Sequence, residues 1–94
     1  MKGHVHIINR RRGLVAIATE GHGFTIVELL TSDPISLGDR LEWHDDRLGP
    51  ATYLNLTRAT KHSVNVHAHG VPESRVLAVP LFTVFPVTFL LRRC

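Results

Sequence analysis

The chain has 94 residues, with eleven Lys and Arg against eight Asp and Glu, seven histidines and one cysteine. That length fits a single domain with a modest core. The lone Cys94 excludes an internal disulfide and fits a reducing, cytoplasmic compartment, while a net charge of +3 is so weakly basic that its placement matters more than its size.

Met1-Lys2 is followed by alternating residues, not a continuous apolar run, so no secretory leader is expected there. His4–Asn9 and Leu14–Thr19 are rich in β-branched and apolar residues, and Arg10-Arg11-Arg12-Gly13 separates them, a hairpin pattern with a slightly long loop. Gly21-His22-Gly23 is the next turn, and Phe24–Leu30 the third predicted strand. Thr31-Ser32-Asp33-Pro34 breaks the pattern, because proline lacks a backbone donor and biases Asp33 away from helix. A fourth strand is predicted over Arg40–His44 after the Leu37-Gly38-Asp39 turn. The fifth, Ala51–Thr57, has clear period-2 alternation. Five short strands without a helical period predict a small antiparallel barrel or sandwich.

Beyond Arg58 the character changes. Residues 60–72 are polar and hold three histidines, and residues 76–91 are almost wholly apolar, with three of the four phenylalanines. Sixteen such residues would span about 24 Å as a helix, short of a bilayer core of roughly 30 Å. As extended chain they would form short strands bounded by Pro80 and Pro86.

The first sixty residues resemble the cold-shock domain family. Lys2-Gly3-His4-Val5, then Asn9, then Arg12-Gly13 before the second strand are similar to that family's K-G-x-V-K-W-F-N and K-G-F-G-F-I. Leu37-Gly38-Asp39-Arg40-Leu41-Glu42-Trp43 resembles its G-D-x-V-x-F strand, and Leu48-Gly49-Pro50-Ala51 running to Asn55-Leu56-Thr57-Arg58 resembles its R-G-P-x-A-x-N-V. The resemblance implies an all-β fold, a five-stranded antiparallel OB-fold barrel over residues 1–60. The β-rich apolar C-terminal extension, residues 61–94, is then expected to pack on the barrel or on a second chain.

The resemblance also implies single-stranded RNA or DNA as the ligand, bound without catalysis. The family stacks bases on rings, and here those positions hold Ile7, Leu14 and Ala16, while Phe24-Thr25-Ile26-Val27-Glu28 stands for its V-F-V-H-F stretch. Base stacking contributes roughly 1–3 kcal/mol per base, so losing four or five rings removes on the order of 4–15 kcal/mol if the terms add. Backbone attraction remains, salt-sensitive and nearly blind to sequence. The expected nucleic-acid-binding residues are Lys2, His6, Arg10, Arg11 and Arg12 for phosphate, with Asn9 reaching a base or sugar and Arg58 and Lys61 as outer members. Arginine suits this task because its planar fork contacts phosphate bidentately and stacks on bases. The competing view of the arginines is a solvated hairpin tip.

His4 with His6, and His67 with His69, each lie two apart and share a strand face, so a zinc site built from both pairs is conceivable. No thiol or carboxylate obviously joins them, and no metal or other cofactor is expected. No nucleophile elbow, phosphate loop or carboxylate pair points to an enzyme. The alternative function is a degenerate barrel used for protein association, homodimeric through the apolar C-terminal segment, or attached to a membrane through residues 76–91. Its apolar patch would comprise Ile7, Leu14, Ala16 and Val27, and such patches usually find a partner.

Overall fold

The computed structural model describes residues 1–44 and 47–76. Its elements are β1 (Lys2–Asn9), β2 (Leu14–Thr19), β3 (Phe24–Leu29), β4 (Arg40–Glu42), β5 (Gly49–Asn55), β6 (Thr60–Val71) and a single helical turn, α1 (Glu73–Val76). All six strands form one closed barrel in the order β1-β2-β3-β6-β5-β4, with β4 returning to β1. Every neighbouring pair is antiparallel.

The five expected strands fall on β1 to β5. The expected count of five is corrected to six by Thr60–Val71, which pairs with both β3 and β5 and closes the wall. Its alternation is sound, with His62, Val64 and Val66 buried and Lys61, Ser63 and His67 exposed. A buried histidine among polar neighbours hid the pattern. The hairpin that leads into it, Leu56–Ala59, holds Ala59 at φ 55°, a conformation that costs an L-residue about 1–2 kcal/mol.

The barrel interior is packed by Val5, Val15, Ile17, Val27, Leu41, Tyr53, Val64 and Val66. Ile35, from the segment joining β3 to β4, and Trp43, just past β4, join this cluster. The Trp43 and Tyr53 rings stack face to face, 4.6 Å between centroids and 4° from parallel. A second apolar cluster, on the outer surface, contains Leu14, Ala16, Phe24, Ile26 and Val76, flanked by Ile7, Ala18, Ala68 and Val71. Strands β2 and β3 therefore bury side chains on both faces.

Strand β1 is the hinge of the closure. It runs beside β2 from Gly3 to Asn9 and beside β4 through Lys2, Gly3 and His4, with a bulge between Val5 and Ile7. Gly3 is required there, because a Cβ would stand 2.5 Å from the Ala18 carbonyl oxygen and 2.7 Å from Ile17 Cγ2. Among the described residues, no helix is long and apolar enough to cross a membrane. The expected membrane contact and strands of the apolar segment lie outside the described residues, Val76 excepted.

Candidate nucleic-acid interface

Alternation along β1 sends Val5 into the barrel and leaves Lys2, His4 and His6 on the outer surface. Pairing with β4 sets Arg40 opposite His4 and Glu42 opposite Lys2. The Lys2 ammonium stands 3.9 Å from the Glu42 carboxylate, an exposed contact that holds neither group firmly. His4 and His6 meet edge to face with centroids 6.4 Å apart, and the His6 ring lies 5.2 Å from that of Phe24. Lys2, His4 and Arg40 line one cleft of about 390 Å³ with Thr19 and Glu20, its small walls supplied by Gly3, Ala18 and Gly38.

The arginine turn lies at the other end of β1. Eight strand residues at about 3.3 Å each set Lys2 roughly 26 Å from it. The six expected binding residues thus form a line along one strand and its turn, not a compact patch. Asn9 serves the turn itself, its Oδ1 accepting from the Arg12 amide at 3.3 Å. The same amide lies 3.2 Å from the Asn9 carbonyl oxygen, and Gly13 completes the turn at φ 68°. Arg10 Nη2 donates to the Ile35 carbonyl at 3.0 Å and ties the turn to the β3–β4 segment. Arg11 and Arg12 extend from the tip as exposed cations.

Arg58 is tied to the segment that leads into β4. Its Nε donates to Asp39 Oδ2 at 2.7 Å and its Nη2 to Ser36 Oγ at 2.7 Å. Asp39 Oδ2 also accepts from Asn55 Nδ2 and the Ser36 amide, each at 3.0 Å. Burial works against the Asp39 charge, but hydrogen bonds from Asn55, Arg58 and Ser36, with the Arg58 charge, outweigh it and hold the carboxyl below the usual aspartate value. Asn55 continues the network to His62, whose ring burial pushes below the ordinary imidazole value against the pull of Asp33 and Asp39. This network clamps the β3–β4 segment to the β5–β6 hairpin. Lys61 is exposed on β6 and lines a different depression with Met1, Glu42 and Trp43.

The Trp, Tyr and Phe rings among the described residues are buried. Trp43 is 4% exposed, Tyr53 1% and Phe24 7%, so the exposed rings among the described residues are imidazoles. The two histidine pairs remain on separate duties. His67 Nε2 contacts Glu28 Oε1 at 3.2 Å, and His69 Nδ1 shares a hydrogen bond with Thr25 Oγ1 at 2.8 Å. Among the described residues, no group of three or more His, Cys, Asp or Glu is placed to hold a metal ion.

Two members of the basic line were absent from the expected set. His4 shares strand parity with Lys2 and His6, a signal present in the sequence. Arg40 joins only through the β1–β4 register, which no local pattern shows. No protein family matches the chain, and neither a curated protein nor a solved structure does.

Proposed function

We propose that this barrel binds single-stranded nucleic acid weakly, through its phosphates, as a cold-shock-like module related to the five-stranded OB barrel and carrying an additional strand. The observation that carries the proposal is the line of exposed basic side chains along β1, from Lys2, His4 and Arg40 through His6 to Arg11 and Arg12. A line suits a strand of phosphates better than a single anion does. Arg11 and Arg12 act as phosphate ligands at one end, Lys2 and Arg40 at the other, and the His4 and His6 imidazoles supply small faces between them. With the described Trp, Tyr and Phe rings buried, this surface contacts the backbone and leaves base identity unread. Asn9 and Arg10 hold the turn in place and act as positioning residues.

Fluorescence anisotropy of labelled oligo-U and oligo-dT tests this. Engagement of about four phosphates predicts an affinity falling about 50-fold between roughly 50 and 200 mM salt, equally for both oligomers. Absence of binding at the lower salt would reject the proposal.

A further inference from the structure

Among the charged groups of the cleft beside β1, Glu20 is the one that a phosphate ligand alone does not account for. The strand register explains how it comes to lie there. Arg40 of β4, His4 of β1 and Ala18 of β2 stand in one row across three adjacent strands, and Thr19 of β2 pairs with Gly3 in the next. Thr19 and Glu20 therefore line the cleft from the β2 side and Arg40 from the β4 side, two strand spacings or about 10 Å apart in backbone.

The two sides differ in hydrogen-bonding sense. Lys2, His4 and Arg40 present donors, while Glu20 presents only acceptor oxygens. The Thr19 hydroxyl donates to the Gly23 carbonyl at 2.6 Å, so it too meets the cleft as an acceptor. Among the described residues, neither the Arg40 guanidinium nor the Glu20 carboxylate has a hydrogen-bond or ion-pair partner, although both line one cleft. Lys2 stands beside Glu42 of β4 instead of closing on Glu20, and Arg40 is tied only through its backbone, its amide donating to Thr57 Oγ1 at 2.8 Å.

We infer that this cleft seats one ribonucleotide of the bound strand, its phosphate against Lys2, His4 and Arg40 and its 2′-hydroxyl donating to Glu20. The inference rests on the nucleic-acid proposal above and adds the sugar to it. A carboxylate beside a strand of phosphates repels the strand, and so weakens binding unless the ligand brings a donor to it. The 2′-hydroxyl is such a donor, and it is the group that tells RNA from DNA. Deoxyribose leaves Glu20 facing the phosphates unpaired, so DNA meets the repulsion without the hydrogen bond. A cleft of about 390 Å³ falls within the roughly 300–1,000 Å³ of small-ligand pockets, which gives one nucleotide room. The barrel thus reads the sugar while leaving the base unread.

The test is fluorescence anisotropy of the full chain with labelled oligo-U and oligo-dU, which differ only in the 2′-hydroxyl. The expected result is about tenfold tighter binding of oligo-U, the scale of one hydrogen bond to a charged group. The salt slope should be the same for both, since the phosphate contacts are shared. Glu20→Ala should bring the two affinities together, and Glu20→Gln, which keeps an acceptor without the charge, should retain part of the preference. Glu42→Ala removes an equal charge on the other side of Lys2 and should leave the preference intact. Equal affinity of the unaltered chain for both oligomers would overturn the inference and leave phosphate binding standing. Binding of neither at roughly 50 mM salt would remove both. A preference that survives Glu20→Ala, or that Glu42→Ala abolishes equally, would also overturn the inference.

Discussion

Asn55 Nδ2 donates to His62 Nε2 at 3.1 Å across the β5–β6 hairpin, and both side chains are out of contact with solvent. The second hydrogen of the same amide goes to Asp39, and Asn55 Oδ1 accepts from the Arg58 amide at 3.0 Å. With Nε2 accepting, the His62 proton resides on Nδ1, and a protonated ring would turn a second N–H toward the Asn55 amide.

Folding stability should therefore fall in mild acid. His62 has a folded pKa below the ordinary 6.5, so the unfolded chain takes up the proton first. Its contribution is complete above about pH 6.5 and declines as the pH drops toward the folded value, by at most about 1.4 kcal/mol per pH unit. Asp39, also lowered, contributes fully above its ordinary 3.8 and loses that contribution only below it. Urea denaturation at pH 7.5, 6.5 and 5.5 should show the decline, and His62→Gln should flatten it.

Asn55→Ala removes the centre of the network. It leaves a buried carboxylate and a buried imidazole each short of one partner, at a cost of about 2–4 kcal/mol. The urea midpoint should drop while the slope of the transition stays constant. Loss of less than about 0.5 kcal/mol would place the network outside the folded core.

The arginines of the turn separate by role. Arg10→Ala should lower stability by about 1 kcal/mol through loss of the bond to Ile35. Arg11→Ala should leave stability within about 0.5 kcal/mol and flatten the salt dependence of oligonucleotide binding by about 0.7 in log–log slope. Thermal melts and anisotropy on the two variants check both.

Glycines at two points of β1 and its neighbour should respond differently to alanine. Gly3→Ala drives a methyl into the Ala18 carbonyl and should cost about 1–3 kcal/mol through displacement of β1 from β2. Gly38→Ala meets open space, and its penalty comes only from φ +86°, about 1–2 kcal/mol. Gly3→Ala should also disturb the cleft at Lys2 and His4, visible as amide shift changes that Gly38→Ala lacks at Ala18.

Much of the wall was legible because alternation is a local property. Val5, Val15 and Ile17 stand at inward positions of strands with period 2, and the arginine turn and Gly21-His22-Gly23 mark the hairpins. Val27, expected on the apolar patch with Ile7, Leu14 and Ala16, instead packs with Val15 and Ile17, because on β3 it is out of phase with Ile26, which joins Leu14 and Ala16. β6 was missed because His62 occupies an inward position, and its burial becomes tolerable only when Asn55, seven residues earlier, supplies a donor. Asn9 illustrates the same limit at the interface. Asparagine after a strand reads equally well as a base contact and as a turn former, and its Oδ1 accepts from the Arg12 amide within the turn. Arg58 looked like a surface cation until Asp39, nineteen residues away, was found beneath it.

The parallel stack of Trp43 on Tyr53 has an optical consequence. These are the only tryptophan and the only tyrosine in the chain, and they lie on either side of the β4–β5 pairing. Two coupled chromophores held nearly parallel give a near-ultraviolet circular dichroism signature, and tyrosine excitation drains to the indole while the rings face each other. The protein thus carries a native, label-free gauge of whether the short β4 edge has docked, read separately from the rest of the barrel.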